Sequence, residues 1–124
     1  MNAMDSAKTR YNDEELAEFK HIIEKKLSRA KDQFNYIDGQ LRELAENPDS
    51  KIKGLDDATG VTEAAQLNGS ATRLQKHIQH LENALLRIEN KVYGVCRATG
   101  KLISKQRLKA VPHATLSIEA KMNR

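Results

Sequence analysis

Cys96 is the only cysteine in this 124-residue chain, and so its only thiol ligand or thiol nucleophile. It opens the stretch Cys-Arg-Ala-Thr-Gly, a knuckle in which a metal-binding version would carry a second thiolate at Thr99, just before the turn glycine Gly100. A second knuckle is expected where a short terminal helix begins. There Ser117 and Ala120 stand three apart, the spacing of a C-x-x-C pair. A structural zinc is closed by four ligands in a tetrahedron, and one thiolate cannot supply them. Tyr93 to Lys121 therefore reads as a zinc-ribbon frame with its ligands removed, and zinc is not expected. His113 adds one potential ligand to Cys96, still too few. A redox switch at Cys96 would lack a resolving cysteine.

Three other groupings carry potential chemistry. His77 and His80 lie one helical turn apart and could share a metal, but no third ligand stands at a helical interval. Both flank apolar seam positions, Ile78 and Leu81, so a solvated or partner-facing role is expected. Asp56 and Asp57 are adjacent carboxylates, the oxygen ligands that hard cations take. They lie in a turn-rich stretch with no general base or substrate pocket implied, so no enzyme is expected. From the residues alone they read as part of a solvated, helix-capping loop. The third grouping is cationic. Residues 91–124 hold eight Lys or Arg against Glu119 alone, which leaves 13 basic and 16 acidic residues in 1–90. Arg107, Lys109 and Lys121 offer donors for phosphate. Such an asymmetry suggests a phosphate-bearing or acidic partner, with a solubilising surface as the plainer alternative.

The elements that must position these groups follow from composition and periodicity. The length fits one small globular unit with an extension. Charged residues make up 31% of the chain, and only five residues are aromatic, none of them tryptophan. That composition points to long solvated helices rather than a sheet. A single cysteine fits a reducing compartment. The N-terminal residues lack the apolar segment of a signal peptide, and no apolar run approaches the ~18 residues of a membrane span, so a cytoplasmic location is expected.

Residues 1–11 are polar and read as a tail. Asn12, with Glu15 three positions on, forms a capping-box pattern, and Asp13 and Glu14 suit the positive end of a helix dipole. Leu16, Ile23, Ala30, Ile37 and Leu44 then recur every seven residues, with Phe19, Leu27, Phe34 and Leu41 between them. Gly39 weakens this helix, and Asn47-Pro48 ends it. A second seam runs Leu67, Ala71, Leu74, Ile78, Leu81, Leu85, Ile88, Val92. Thr59 or Thr62 is its expected cap, Asn68-Gly69-Ser70 an interruption, and Gly94 its stop. Heptads of this length indicate a coiled coil. The turn-rich connection at about 47–61 lets the two helices fold back on each other. The expected architecture is mainly α: a long antiparallel coiled-coil helical hairpin over 12–92, with its tip loop at about 47–61, and a small globular module over 93–124 with a short terminal helix. Burial of Val95, Leu102, Ile103, Leu108, Leu116 and Ile118, with packing through Ile88, Val92 and Tyr93, is expected to hold that module. A monomer is expected, and pairing between chains is the alternative.

Tyr93, Gly94, Cys96, Gly100, Ile103, Arg107, Leu108, Ala110, Pro112, Ala114 and Lys121 together carry a resemblance. The stretch is similar to the C-terminal module of the TraR/DksA family of bacterial transcription factors, in a cysteine-poor variant. The resemblance implies a non-enzymatic regulator that binds RNA polymerase, inserting its hairpin tip into the secondary channel. Relatives carry a tip motif resembling D-x-x-D-x-A. Counting back from Cys96 sets Asp56, Asp57 and Ala58 on its D-x-A half and puts Lys53 where the first acid would stand. Asp57 could supply the second carboxylate. The resemblance also implies polymerase or nucleotide contacts at Arg73, His80, Arg107, Lys109 and Lys121. It further implies cooperation with guanosine tetraphosphate at the polymerase interface, although Val111 replaces a basic residue often found before the proline. The alternative is a small coiled-coil protein that binds nucleic acid non-specifically through its basic end. A purely structural oligomeric coiled coil comes third.

Overall fold

Asn12 starts the first helix by reciprocal capping. Its Oδ1 accepts from the Glu15 amide at 2.8 Å, and Glu15 Oε1 accepts from the Asn12 amide at 2.9 Å. Two amides left over at a helix start are thereby satisfied, as the sequence pattern requires. The computed structural model describes residues 9–46 and 56–122, without the side chains of 56–61. Its elements are α1 (Asp13–Glu46), α2 (Asp56–Glu89), α3 (Lys105–Ala110) and α4 (Ile118–Met122). Lys53 and most of the expected tip loop lie outside the described residues.

The fold is mainly helical, and α1 and α2 pair as an antiparallel hairpin. α1 is described to Glu46, and Asn47-Pro48, its expected end, lies outside the described residues. α2 departs from expectation at both ends. It is already helical at Asp56, so Asp56, Asp57 and Ala58 lie in the helix rather than in a loop, and neither Thr59 nor Thr62 caps it. Asn68-Gly69-Ser70 does not interrupt the helix.

The far end of α2 is closed by Lys91, not by Gly94. The Val92 amide donates to the Arg87 carbonyl at 2.9 Å, the Lys91 amide donates to the Ile88 carbonyl at 3.0 Å, and Lys91 takes a φ of 62°. These are the two bonds and the left-handed residue of a Schellman stop. Because the helix has ended, Val92 is out of phase with the heptad that seemed to continue through it. It is 42% exposed, and the expected packing through Val92 is not made.

The chain divides into two compact units. In the first, 1–27 with 80–124, the start of α1 packs against the end of α2 and the module. Its core holds Leu16, Phe19, Ile23 and Leu27 from α1, Leu81, Ala84 and Ile88 from α2, and Tyr93, Cys96, Ile103, Leu108, Ala114 and Ala120 from the module. Tyr11 joins them at 6% exposure, so the expected tail does not run as far as residue 11. Its ring stacks at a tilt on Phe19, with centroids 5.8 Å apart, and Phe19 in turn meets Tyr93 at 5.3 Å. The Tyr11 hydroxyl donates to the Ile103 carbonyl. Of the six residues expected to fill the module, Ile103 and Leu108 are buried, Val95, Leu102 and Leu116 are half-buried, and Ile118 is 57% exposed. Aromatic packing from Tyr11, Phe19 and Tyr93 supplies what they do not.

In the second unit, 28–79, the rest of α1 runs against α2. Among the described residues Ala30 is its one buried apolar side chain. Phe34, Ile37, Leu41 and Leu44 facing Leu67, Ala71, Leu74 and Ile78 are only half-buried.

Candidate functional site

Cys96 and the three residues without a ligand group, Thr99, Ser117 and Ala120, are linked in the structure by hydrogen bonds. An antiparallel bridge between Val95 and Leu102 sets up the first knuckle. The Cys96 amide donates to the Lys101 carbonyl and the Gly100 amide to the Cys96 carbonyl, both at 2.8 Å. Gly100 sits at φ +75°, which glycine tolerates at no steric cost. Thr99 Oγ1 accepts from the Lys101 amide at 3.2 Å. Across from the knuckle, the Ser117 amide donates to Cys96 Sγ at 3.3 Å. Ser117 Oγ then caps α4 by accepting from the buried Ala120 at 3.1 Å. One thiol, two hydroxyls and a methyl do not fit zinc, which takes thiolate, imidazole or carboxylate donors. Among the described residues no three His, Cys, Asp or Glu gather as metal ligands.

Hydrogen bonds to sulfur stabilise its ionised form. Those from the Thr99 side chain, first, and the Ser117 amide pull the Cys96 thiol down to about 6, with burial opposing them. Below its ordinary value of 9.0 the folded chain therefore holds fewer protons here than the unfolded chain. This contribution to stability is complete above about pH 9 and is lost as pH falls through about 6. Thermal melts of the native chain should rise between those limits more steeply than melts of Cys96→Ala.

Beside this quartet, and within the same unit, lies a cavity of about 430 Å³. His80 and Arg87 of α2, Arg97 of the knuckle, Arg107 of α3, His113, and Lys121 of α4 all line it, and no acidic residue does. Three of the sequence-predicted contact residues, His80, Arg107 and Lys121, are thus brought together. His80 stacks on His113, ring centroids 5.3 Å apart and planes 17° from parallel. Arg107 Nε donates to the Leu116 carbonyl at 2.8 Å, and Arg97 Nε to Thr115 Oγ1 at 3.0 Å. Arg87 Nη2 donates to the Val95 carbonyl at 2.9 Å, while its Nε is buried without a hydrogen-bond partner among the described residues. Val111 also lines this cavity. Lys109 is exposed and outside it.

Arg73 belongs elsewhere. With Asp32, Tyr36, Ile37, Leu74 and His77 it lines a cavity of about 710 Å³ in the second unit. His77 and His80 therefore line different cavities. Arg87 and Arg97 were not anticipated from sequence, and His113 only as a metal ligand. For Arg97 the available signal was the excess of cations after residue 90, and for Arg87 there was none.

These features define a class, a helical hairpin carrying a zinc-ribbon-like module. Residues 91–122 match the family described as prokaryotic dksA/traR C4-type zinc finger. Over these residues the chain is similar to the TraR/DksA family, although it holds one cysteine where that description implies four. It is 40% identical over 65 residues to the RNA polymerase-binding transcription factor DksA of Caulobacter vibrioides, a match spanning 52% of this chain and 46% of that protein. It is 29% identical over 98 residues to general stress protein 16O of Bacillus subtilis, covering 79% of this chain and 59% of that one. The solved structure of transcription factor DksA2 from Pseudomonas aeruginosa superposes with a TM-score of 0.79 at 28% identity, over 87% of this chain and 81% of that one. The matched region spans about half the length of the Caulobacter relative.

Proposed function

We propose that this chain is a non-enzymatic transcription regulator that binds RNA polymerase. The observation that carries this reading is the joint likeness of module and hairpin. The module matches the family model, and the fold follows that of a DksA transcription factor over most of both chains. In this reading the end of α2 that carries Asp56, Asp57 and Ala58 enters the secondary channel and changes the lifetime of promoter complexes. The basic module stays at the channel entrance. Guanosine tetraphosphate is held against the polymerase by the cationic cavity. Arg87 and Arg97 make up for the cation absent at Val111, and the buried, unpaired Arg87 Nε suits an anion. Arg73 lies on the hairpin surface as a polymerase contact. The protein works as a monomer in the cytoplasm, and among the described residues no helix is long and apolar enough to cross a membrane.

Binding to core RNA polymerase is the test, beside a variant with Asp56→Asn and Asp57→Asn. Both proteins should bind with similar affinity, while only the native chain shortens or lengthens promoter-complex lifetime. Failure of the native chain to bind polymerase sinks this reading. The charge asymmetry of the module supports a second one, non-specific binding of nucleic acid. It predicts DNA retention that falls steeply with salt, in proportion to the phosphates contacted.

A further inference from the structure

A zinc ion in a ribbon does one mechanical job: it ties two knuckles together across a gap that few apolar side chains bridge. We propose that in this chain the job is done by three direct ties between the first knuckle, α3 and the segment 115–117, so that the module folds without any metal while keeping a latent tetrahedral frame. The inference does not depend on polymerase binding.

The first tie is the sulfur itself. Cys96 Sγ is fully buried and accepts from the Ser117 amide at 3.3 Å, so the surviving ligand bonds one replaced ligand position directly. The second is a pair of bonds between Arg97 and Thr115. The Arg97 amide donates to the Thr115 carbonyl at 3.0 Å, and Arg97 Nε to Thr115 Oγ1 at 3.0 Å. The third runs from Arg107 Nε to the Leu116 carbonyl at 2.8 Å. All three converge on consecutive residues, 115, 116 and 117, immediately before α4. Arginine suits this use because its planar donors hold fixed directions and it remains charged at every relevant pH. The frame itself persists. Gly100 keeps its left-handed turn, and the Ser117–Ala120 spacing is preserved at the start of a helix, where a second ligand pair would stand.

The test has two arms. Native protein purified from zinc-containing medium should carry no stoichiometric metal, and its melting curve should not move when a strong chelator is added. A variant with Thr99→Cys, Ser117→Cys and Ala120→Cys should bind about one cobalt(II) ion per chain, with the intense ligand-field bands of a tetrahedral thiolate site, and should gain thermal stability with zinc. One tightly held zinc in the native chain, or its unfolding by chelator, would overturn the metal-free half. A folded triple variant with no tetrahedral cobalt spectrum would overturn the latent frame. If that variant does not fold, Thr115→Val keeps the proposal testable. It should lower the native melting temperature with or without zinc, and rescue of this variant by zinc would count against the proposal.

Discussion

Replacing Gly94 with alanine is expected to lower the melting temperature by roughly 10 °C, corresponding to about 3 kcal/mol. Gly94 holds φ +79°, and a Cβ built there would fall 2.6 Å from two carbons of the Tyr11 ring and 3.2 Å from Leu108 Cδ1. Both the left-handed backbone and the contact are unfavourable for alanine, and neither neighbour can move cheaply. The Tyr11 ring is held by Phe19 and by its hydroxyl's bond to Ile103, and Leu108 is fully buried. Gly100→Ala is the control. Its φ is similar, +75°, but nothing lies within 4 Å of the added carbon, so only the backbone term of about 1 kcal/mol remains. A double-mutant cycle with Tyr11→Ala should show strong non-additivity, because removing the ring removes the clash. Equal losses at Gly94 and Gly100 would mean that the close approach of Tyr11 does not matter.

Arg107→Ala should cost about 1.5–3 kcal/mol, because it deletes a charged donor and leaves the half-buried Leu116 carbonyl without it. The same change removes one cation from the module's cavity. Arg107→Lys separates the two effects. Lysine keeps the charge but cannot reproduce the fixed Nε geometry, so stability should fall nearly as far as with alanine, while the guanosine tetraphosphate binding proposed above should fall less. Thermal melts and nucleotide titrations of the same three proteins would check this. A lysine variant as stable as the native chain would show that the carbonyl bond contributes little.

The helices were legible because their signals are local. Asn12 and Glu15 stand three apart and pair as a capping box must, and the seam from Leu16 to Leu44 gives the period that buries Leu16, Phe19, Ile23 and Leu27. What sequence hid was long-range. Tyr11 sits in a polar stretch with no periodicity, and its hydroxyl's partner, Ile103, is 92 residues away. The cavity draws Arg87, Arg97, Arg107 and Lys121 from four separate places, none with a telling spacing. The heptad reading ran past its range at Val92 because Lys91 adopts a left-handed conformation that its residue type does not advertise. Conversely, the contact between Cys96 and Ser117 was anticipated from one cysteine, through the turn glycine Gly100 and a three-residue spacing.

The make-up of that quartet also has an electrostatic consequence. A four-thiolate zinc centre is an anion of net charge about −2. Cys96, Thr99, Ser117 and Ala120 together carry at most one negative charge, the thiolate of Cys96. The arginines beside them therefore face a weaker counter-field than they would around a filled C4 centre. A polyphosphate approaching this end of the molecule would meet less repulsion from behind the surface it touches.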